Sequence, residues 1–287
     1  MNGKTCVITG STGGIGRVAA LRLADAGARV VIVGRDRQRG QALAEGLRRQ
    51  RGPDTAEFFA ADLSAGAARS ALADAILQRH PRIDVLVNNA GGMFGRRTMS
   101  ADGLEMTFAL NHMGYFHLTH LLLPAIRAAA PARIVNVASD AHFGASLDFE
   151  DLQNEHSYRR LRAYKRSKLA NVYFTYELAR RLEGSGVTVN ALHPGFVATE
   201  IGVRNRLIPR LVWSLATLAA IDVEAGARTS VFLASAPEVA NVTGRYFDKC
   251  RPKPSSPASY DEPAQRRLWD ISAGLCGLDP ATATAGL

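Results

Sequence analysis

Tyr164 and Lys168 stand four residues apart in a stretch, 163–183, with helical periodicity, so both lie on one face of a helix. A phenol near pKa 10 is a weak acid, and its anion is scarce at neutral pH. A neighbouring ammonium favours the phenolate and lowers that value. Ser139 ends an apolar strand, 133–138, where its hydroxyl can hydrogen-bond a substrate oxygen. Hydride transfer to a carbonyl leaves negative charge growing on oxygen, and that oxygen needs a proton. Tyr164 can supply it, Lys168 can ready the phenol, and Ser139 can hold the oxygen. Alone, Tyr164 reads as a half-buried helix tyrosine and Lys168 as a solvated lysine; the general acid–base reading comes from their convergence.

A second chemical signal is the run Thr9-Gly10-Ser11-Thr12-Gly13-Gly14-Ile15-Gly16, between an apolar strand at 4–9 and a helix at 14–26. Its spacing is G-x-x-x-G-x-G, not G-x-G-x-x-G, but the mechanics are alike. One glycine makes the tight turn, another lets backbone approach a pyrophosphate, and a third lets helix pack closely on strand. Gly10, Ser11, Gly14, Ile15 and Gly16 are thus candidate dinucleotide contacts at a helix N-terminus. The end of the second strand selects the dinucleotide. Gly34 stands where an acidic residue would bind the adenosine ribose, and Arg35 follows it. A guanidinium pairs with a 2′-phosphate, so the reading is NADP(H) over NAD(H). Asp36 is either a ribose ligand or the cap of the helix it begins, and the cap is the better fit. Asp62 and Leu63, after the third strand, are expected at the adenine; Asp62 also has a competing role as an N-cap.

These residues need a scaffold that brings strand ends together. Strands at 4–9, 29–33, 56–61, 83–87, 133–138 and 187–192 alternate with helices at 14–26, 36–51, 65–79, 101–130 and 163–183. The long helix at 101–130 invites kinks near Gly114 and Pro124. Strands such as Val30-Val31-Ile32-Val33 are apolar on both faces, so helices must cover both sides of a parallel sheet. The expected fold is α/β, a doubly wound parallel sheet of Rossmann type, in a single domain over 1–287. Residues 199–222 follow the sixth strand with an apolar stripe. A helical substrate lid and a helix packed on the core both fit it, because periodicity does not separate the two. Residues 251–263 are rich in Pro and Ser and read as a loop, with a C-terminal helix at 264–275.

Composition excludes other classes. The 287 residues are 47% hydrophobic and 21% charged, which is neither a disordered nor a fibrous chain. Three cysteines, Cys6, Cys250 and Cys276, without a CxxC pair fit a reducing compartment. No run of about 18 apolar residues suggests a membrane span, and no signal peptide precedes the first strand, so the expectation is cytoplasmic. The net charge of +9 is mostly arginine dispersed over helix faces, as at Arg48-Arg49 and Arg180-Arg181, which argues against nucleic acid. His112, His117 and His120 lack a second ligand set, so no metal is expected. Asn136 and His193 read as structural, and Cys6 as an inert core residue.

Further motifs carry a resemblance. Asn88-Asn89-Ala90-Gly91 follows the fourth strand, and Leu110-Asn111-His112-Met113-Gly114 lies in the long helix. Arg133 to Ser139 forms the serine strand, and Tyr164-x-x-x-Lys168 continues as Leu169-Ala170-Asn171. His193-Pro194-Gly195, Val197 and Thr199 follow the sixth strand, and Arg266-Arg267-Leu268-Trp269-Asp270 lies near the end. In this order the chain resembles the short-chain dehydrogenase/reductase family, and within it the retinol-dehydrogenase-like branch. The resemblance implies that Asn111 joins Ser139, Tyr164 and Lys168, supporting a water that links Lys168 to solvent. It implies cofactor contacts at Asn89, Ala90, Gly91, Tyr164, Lys168, Pro194, Gly195, Val197 and Thr199, with Lys168 on the nicotinamide ribose. It further implies a carbonyl or alcohol substrate, lipophilic because the lid and the insert with Phe143 and Phe149 supply apolar groups. Many members of the branch carry an N-terminal anchor; none is read here, so no membrane anchor is expected. The family pairs copies through the helices at 101–130 and 163–183, although monomers occur, so a homodimer stays open. NAD-dependent alcohol oxidation and a non-catalytic dinucleotide sensor are the rival functions.

Overall fold

A computed structural model of the chain describes residues 1–195 and 222–279. The first half runs β1 (Thr5–Thr9), α1 (Gly14–Asp25), β2 (Arg29–Gly34), α2 (Arg37–Arg51), β3 (Ala56–Ala60), α3 (Gly66–Arg79) and β4 (Val85–Asn88). A short α4 (Met106–Phe108) passes through a π-helical turn (Ala109–Met113) into α5 (Gly114–Ala128). Then come β5 (Ala132–Val137), α6 (Arg160–Arg181), β6 (Val187–His193), α7 (Val223–Ser235), β7 (Arg245–Asp248), β8 (Arg251–Pro252) and α8 (Glu262–Leu275).

The strands form one sheet in the order β3-β2-β1-β4-β5-β6-β7-β8, parallel except for the β7–β8 pair. This is the expected doubly wound α/β fold. Side chains alternate across each strand. Val7 and Val31 point into a core with Leu72, Ile76, Phe116 and Phe174. Cys6, Ile8, Val30 and Ile32 point into the opposite core with Leu23, Leu43, Leu47 and Leu233. Helices therefore cover both faces, as the apolar strands require. From β1 the chain builds outward through β2 and β3, and then returns to place β4 on the other side of β1. The crevice at that reversal, at the carboxyl ends of the strands, is where such sheets bind ligands. The glycine turn after β1 and the Asn88–Gly91 segment after β4 meet there.

Three expectations change. The helix read over 101–130 begins only at Met106, because Glu105 turns back as its cap and accepts the N–H groups of Thr107 (2.8 Å) and Phe108 (3.0 Å). Its irregularity is the π turn just before Gly114, and Pro124 lies inside α5. The stretch 251–263 is not all loop; it holds β8, a 3-10 turn at Pro257–Tyr260 and the start of α8. The sheet also gains β7, and α7 packs on α1. Both escape sequence reading because β7 has four residues and α7 buries small ones such as Gly226, Ala227 and Ser230. The lid segment read over 199–222 lies outside the described residues, except for Asp222.

α8 lies across the helices expected to pair two copies. Trp269 is buried against Phe116 (ring centroids 5.1 Å) and Phe174 (6.1 Å), with the Arg181 guanidinium 4.3 Å from its ring. Among the described residues no large apolar side chain of α5 is exposed, and on α6 only Leu161 is. No described helix is long and apolar enough to cross a membrane. No group of three or more His, Cys, Asp or Glu among the described residues is placed to hold a metal.

Candidate active site

The crevice has two ends, and backbone builds the first. Gly10 has φ +67°, and a Cβ there would lie 2.8 Å from the Cα of Ala90. At Gly16 a Cβ would come within 2.5 Å of both Asn89 Nδ2 and the Gly10 carbonyl. Asn89 closes this contact by donating to the carbonyls of Thr9 (2.8 Å) and Gly10 (3.3 Å). Thr9, which sequence reasoning passed over, accepts the N–H groups of Asn89 (2.9 Å) and Ala90 (3.0 Å) on its hydroxyl. Its signal was a hydroxyl on the last residue of β1, beside the end of β4. The N-cap of α1 is Gly13, with no side-chain acceptor for the first-turn N–H groups. Open N–H groups of this kind at a helix N-terminus suit an anion. Ile15 is partly buried against Val18, Ala19 and Ala227. Ser11 does not present its hydroxyl to this cradle. It is buried, donates to the Ile8 carbonyl (2.6 Å) and accepts the Val33 N–H (3.1 Å), tying β1 to β2.

At the end of β2 a side chain on Gly34 would strike Thr12, 2.6 Å from its Cγ2, so an acidic residue has no room there. Asp36 is the cap of α2, accepting the Arg39 N–H at 3.0 Å. Such a cap stabilises a helix by about 1 kcal/mol. Arg35 is half-exposed, its Nη1 4.0 Å from Asp62 Oδ2. Asp62 is not a helix cap: α3 starts after Ala65, and Asp62 Oδ1 accepts the N–H (3.0 Å) and hydroxyl (2.8 Å) of Ser64. Leu63 is a core residue, and its carbonyl accepts from the buried Arg69 at 2.8 Å.

The second end carries the acid–base groups. Lys168 is buried, donates to the Val137 carbonyl (2.9 Å) and has its Nζ 5.7 Å from the Tyr164 ring centroid. Ser139, just beyond β5, accepts the Ala141 N–H on Oγ (3.1 Å), so its own hydrogen can be donated to a second group. It hydrogen-bonds to Tyr164. Asn111 is on the π turn. It exchanges two bonds with the Gly92 backbone (2.8 and 2.9 Å) and donates to Ser167 Oγ (2.9 Å). A π turn often marks a functional position. Gly91 passes closely: a Cβ there would be 3.3 Å from Asn111 Oδ1 and 3.8 Å from Lys168 Nζ. So Asn111 fastens the loop after β4 to α6.

Burial decides the electrostatics. It raises the Tyr164 pKa above 10, with the Ser139 hydrogen bond pulling the other way. It lowers Lys168 from 10.5 to about 7. Lys168 therefore does not lower Tyr164 as expected: desolvation pushes both groups toward their neutral forms. Under the site, Asn88 donates to Thr119 (3.0 Å) and Asn136 (2.9 Å), and Asn136 to Thr175 (2.9 Å). This polar chain joins β4, β5, α5 and α6. His193 accepts the Asp140 N–H at 3.2 Å. Pro194 and Gly195 follow β6, Gly195 with φ +83°. Val197 and Thr199 lie outside the described residues.

Comparison with known proteins agrees with this architecture. Residues 4–207 match the family described as short chain dehydrogenase. Human retinol dehydrogenase 14 is 45% identical over 296 residues, covering 97% of this chain and 88% of that protein. Human retinol dehydrogenase 13 is 42% identical over 284 residues, covering 96% and 86%. Among solved structures, an uncharacterised protein of Mycobacterium paratuberculosis superposes with a TM-score of 0.79 at 33% identity, covering 97% of this chain and 95% of that one. The NADP complex of Pseudomonas aeruginosa RhlG superposes with a TM-score of 0.71 at 29% identity, covering 86% and 94%.

Proposed function

The chain belongs to the short-chain dehydrogenase family, and from that premise we propose that it is an NADP(H)-dependent oxidoreductase interconverting a ketone or aldehyde and its alcohol on a lipophilic small molecule. The observation that carries this reading is the convergence of Ser139, Tyr164 and Lys168 beside the glycine cradle. In reduction Tyr164 gives its phenolic proton to the oxygen that gains charge; in oxidation it takes the proton back. Its raised pKa keeps it protonated at neutral pH, which suits a donor. Ser139 turns its hydroxyl hydrogen from Tyr164 to the same oxygen. Lys168, when charged, stabilises the phenolate left behind and can return a proton to it. When bound, the dinucleotide supplies or takes up the hydride.

The residues that would hold it are Gly10, Gly14 and Gly16 at the pyrophosphate, Arg35 at a 2′-phosphate, Asp62 at the adenosine end, and Asn89, Gly91 and Lys168 toward the nicotinamide ribose. Support for NADP(H) is steric and electrostatic. Gly34 has no room for a side chain, Asp36 is committed to its helix, and Arg35 is left facing the crevice end beside Asp62. Support for a lipophilic substrate comes from relatives named retinol dehydrogenase, since retinol is a long apolar alcohol.

The test is a melting curve with NADPH, NADH or neither. A ligand at 100 times its dissociation constant adds about 2.7 kcal/mol of stability. NADPH is expected to raise the melting temperature and NADH to do so weakly. Arg35→Ala is expected to weaken NADPH about ten- to a hundredfold, from a lost charge-assisted bond of roughly 1.5–3 kcal/mol, with NADH unchanged. Equal losses would remove the phosphate contact, and a shift with NADH alone would move the reading to NAD-dependent alcohol oxidation.

A further inference from the structure

The C-terminal stretch 253–275 grips each element that carries an acid–base residue. Beside Ser139, Lys253 Nζ donates to Asp140 Oδ2 (2.7 Å), whose other oxygen accepts the Tyr246 hydroxyl (2.9 Å). Two residues further on, the Ser256 N–H donates to His142 Nε2 (2.9 Å). With Nε2 an acceptor, the ring hydrogen sits on Nδ1, which donates to the Ser139 carbonyl (2.7 Å). On the π turn, His112 follows Asn111. Ser272 spends its hydrogen on the Leu268 carbonyl (2.7 Å), so it accepts from His112 Nε2 (2.8 Å). On α6, the Tyr176 hydroxyl is 2.6 Å from Ser255 Oγ, and Tyr260 stacks on Tyr176 with centroids 5.6 Å apart.

Both histidines are fully buried among rings. His142 lies 4.5 Å from Phe143 and 4.9 Å from Tyr246, and His112 lies 5.0 Å from Phe108 and 6.0 Å from Phe116, centroid to centroid. Neither takes part in the acid–base step above. Each is instead a rigid link between an active-site backbone segment and a serine of the C-terminal stretch. Among the described residues, no hydrogen bond or ion pair of 253–275 runs to the glycine turn or to the end of β2.

We propose that the stretch 253–275 is a brace that fixes Ser139 and Asn111 relative to Tyr164, with His142 and His112 as positioning residues that set the rate of the chemical step. A displacement of about 1 Å in a reacting group costs on the order of a hundredfold in rate. The brace touches the acid–base end and leaves the cradle alone. Its loss therefore lowers kcat and spares dinucleotide affinity.

The kinetic arm of the test rests on the proposed reaction; an amide-exchange arm does not. His142→Phe keeps the ring and removes both bonds, His142→Gln keeps a donor and an acceptor, and Ser272→Ala removes the acceptor of His112. For each, kcat, the NADPH dissociation constant and amide exchange are measured. His142→Phe is expected to lower kcat at least about tenfold with NADPH affinity within about twofold, and His142→Gln to recover part of the rate. Ser272→Ala is expected to speed exchange across 109–113 and to lower kcat less. A fall in melting temperature with kcat unchanged would overturn the brace, as would kcat and affinity falling together. If the wild-type protein turns over no carbonyl with NADPH, the reaction reading fails by itself. The exchange arm then decides: unchanged protection of 109–113 in Ser272→Ala would overturn the brace, and faster exchange there would sustain it. If His142→Phe does not fold, Ser272→Ala carries both arms.

Discussion

At the glycine turn the molecule works by leaving side chains out; at the acid–base cluster it works by locking side chains in. Gly10, Gly16 and Gly34 each stand where a Cβ would strike Ala90, Asn89 or Thr12, so backbone comes close and N–H groups stay open. The turn itself is one strand end and one helix start, closed by Asn89 and Ala90 from the loop after β4. Ser139, Lys168 and Asn111 come from β5, α6 and the π turn, and are held by Ala141, Val137 and Gly92. The cradle is thus mostly backbone, and its failure is steric. The acid–base end is assembled over long sequence distances, and its failure is one of placement and proton affinity.

The largest expected effect separates the two ends. Tyr164→Phe removes one hydroxyl, and turnover is expected to fall by about 10²–10⁴-fold, with NADPH binding measured by titration unchanged. Comparable loss of binding would mean the two ends are not separable. The reverse experiment is Gly16→Ala. Its methyl would overlap Asn89 and the Gly10 carbonyl, at a cost of roughly 1–3 kcal/mol. NADPH is expected to bind about ten- to a hundredfold more weakly. Saturating NADPH should restore kcat; a kcat that stays low would show that the cradle also shapes the chemistry.

A third expected effect is a pH slope in the dinucleotide-free protein. Lys168 has its pKa lowered from 10.5 to about 7 by burial, so between those values the unfolded chain holds a proton that the folded chain has released. Stability from this group is therefore absent below about pH 7, rises with pH, and is fully present above about 10.5. The slope is at most about 1.4 kcal/mol per pH unit. Urea melts of Lys168→Met are expected to lose that rise between pH 7 and 10, and an unchanged slope would place the titrating group elsewhere.

What could be read in advance follows the same division. The glycine spacing, the apolar strands and the Tyr164–Lys168 interval are short-range facts of the chain, so fold class and glycine turn were legible. Asp36 as a cap was legible for the same reason, because a cap bonds three residues away. Ser11 was not, because its hydroxyl chooses between the crevice and the strand behind it, and Val33 is 22 residues distant. Thr9 and His142 were likewise settled by partners brought in from elsewhere.

Sequence alone determined the alternation of strand and helix, the position of the glycine turn and the identity of the groups able to move a proton, because propensity, periodicity and spacing act over a few residues. Only the tertiary structure decided the proton affinities of those groups, the inward turn of Ser11 and the spread of α8 over α5 and α6. Desolvation and long-range hydrogen bonds depend on what surrounds a residue. For Lys168 the surroundings are drawn from β5, α6 and the loop after β4, and their burial of its amine, which no local spacing reveals, favours its neutral form.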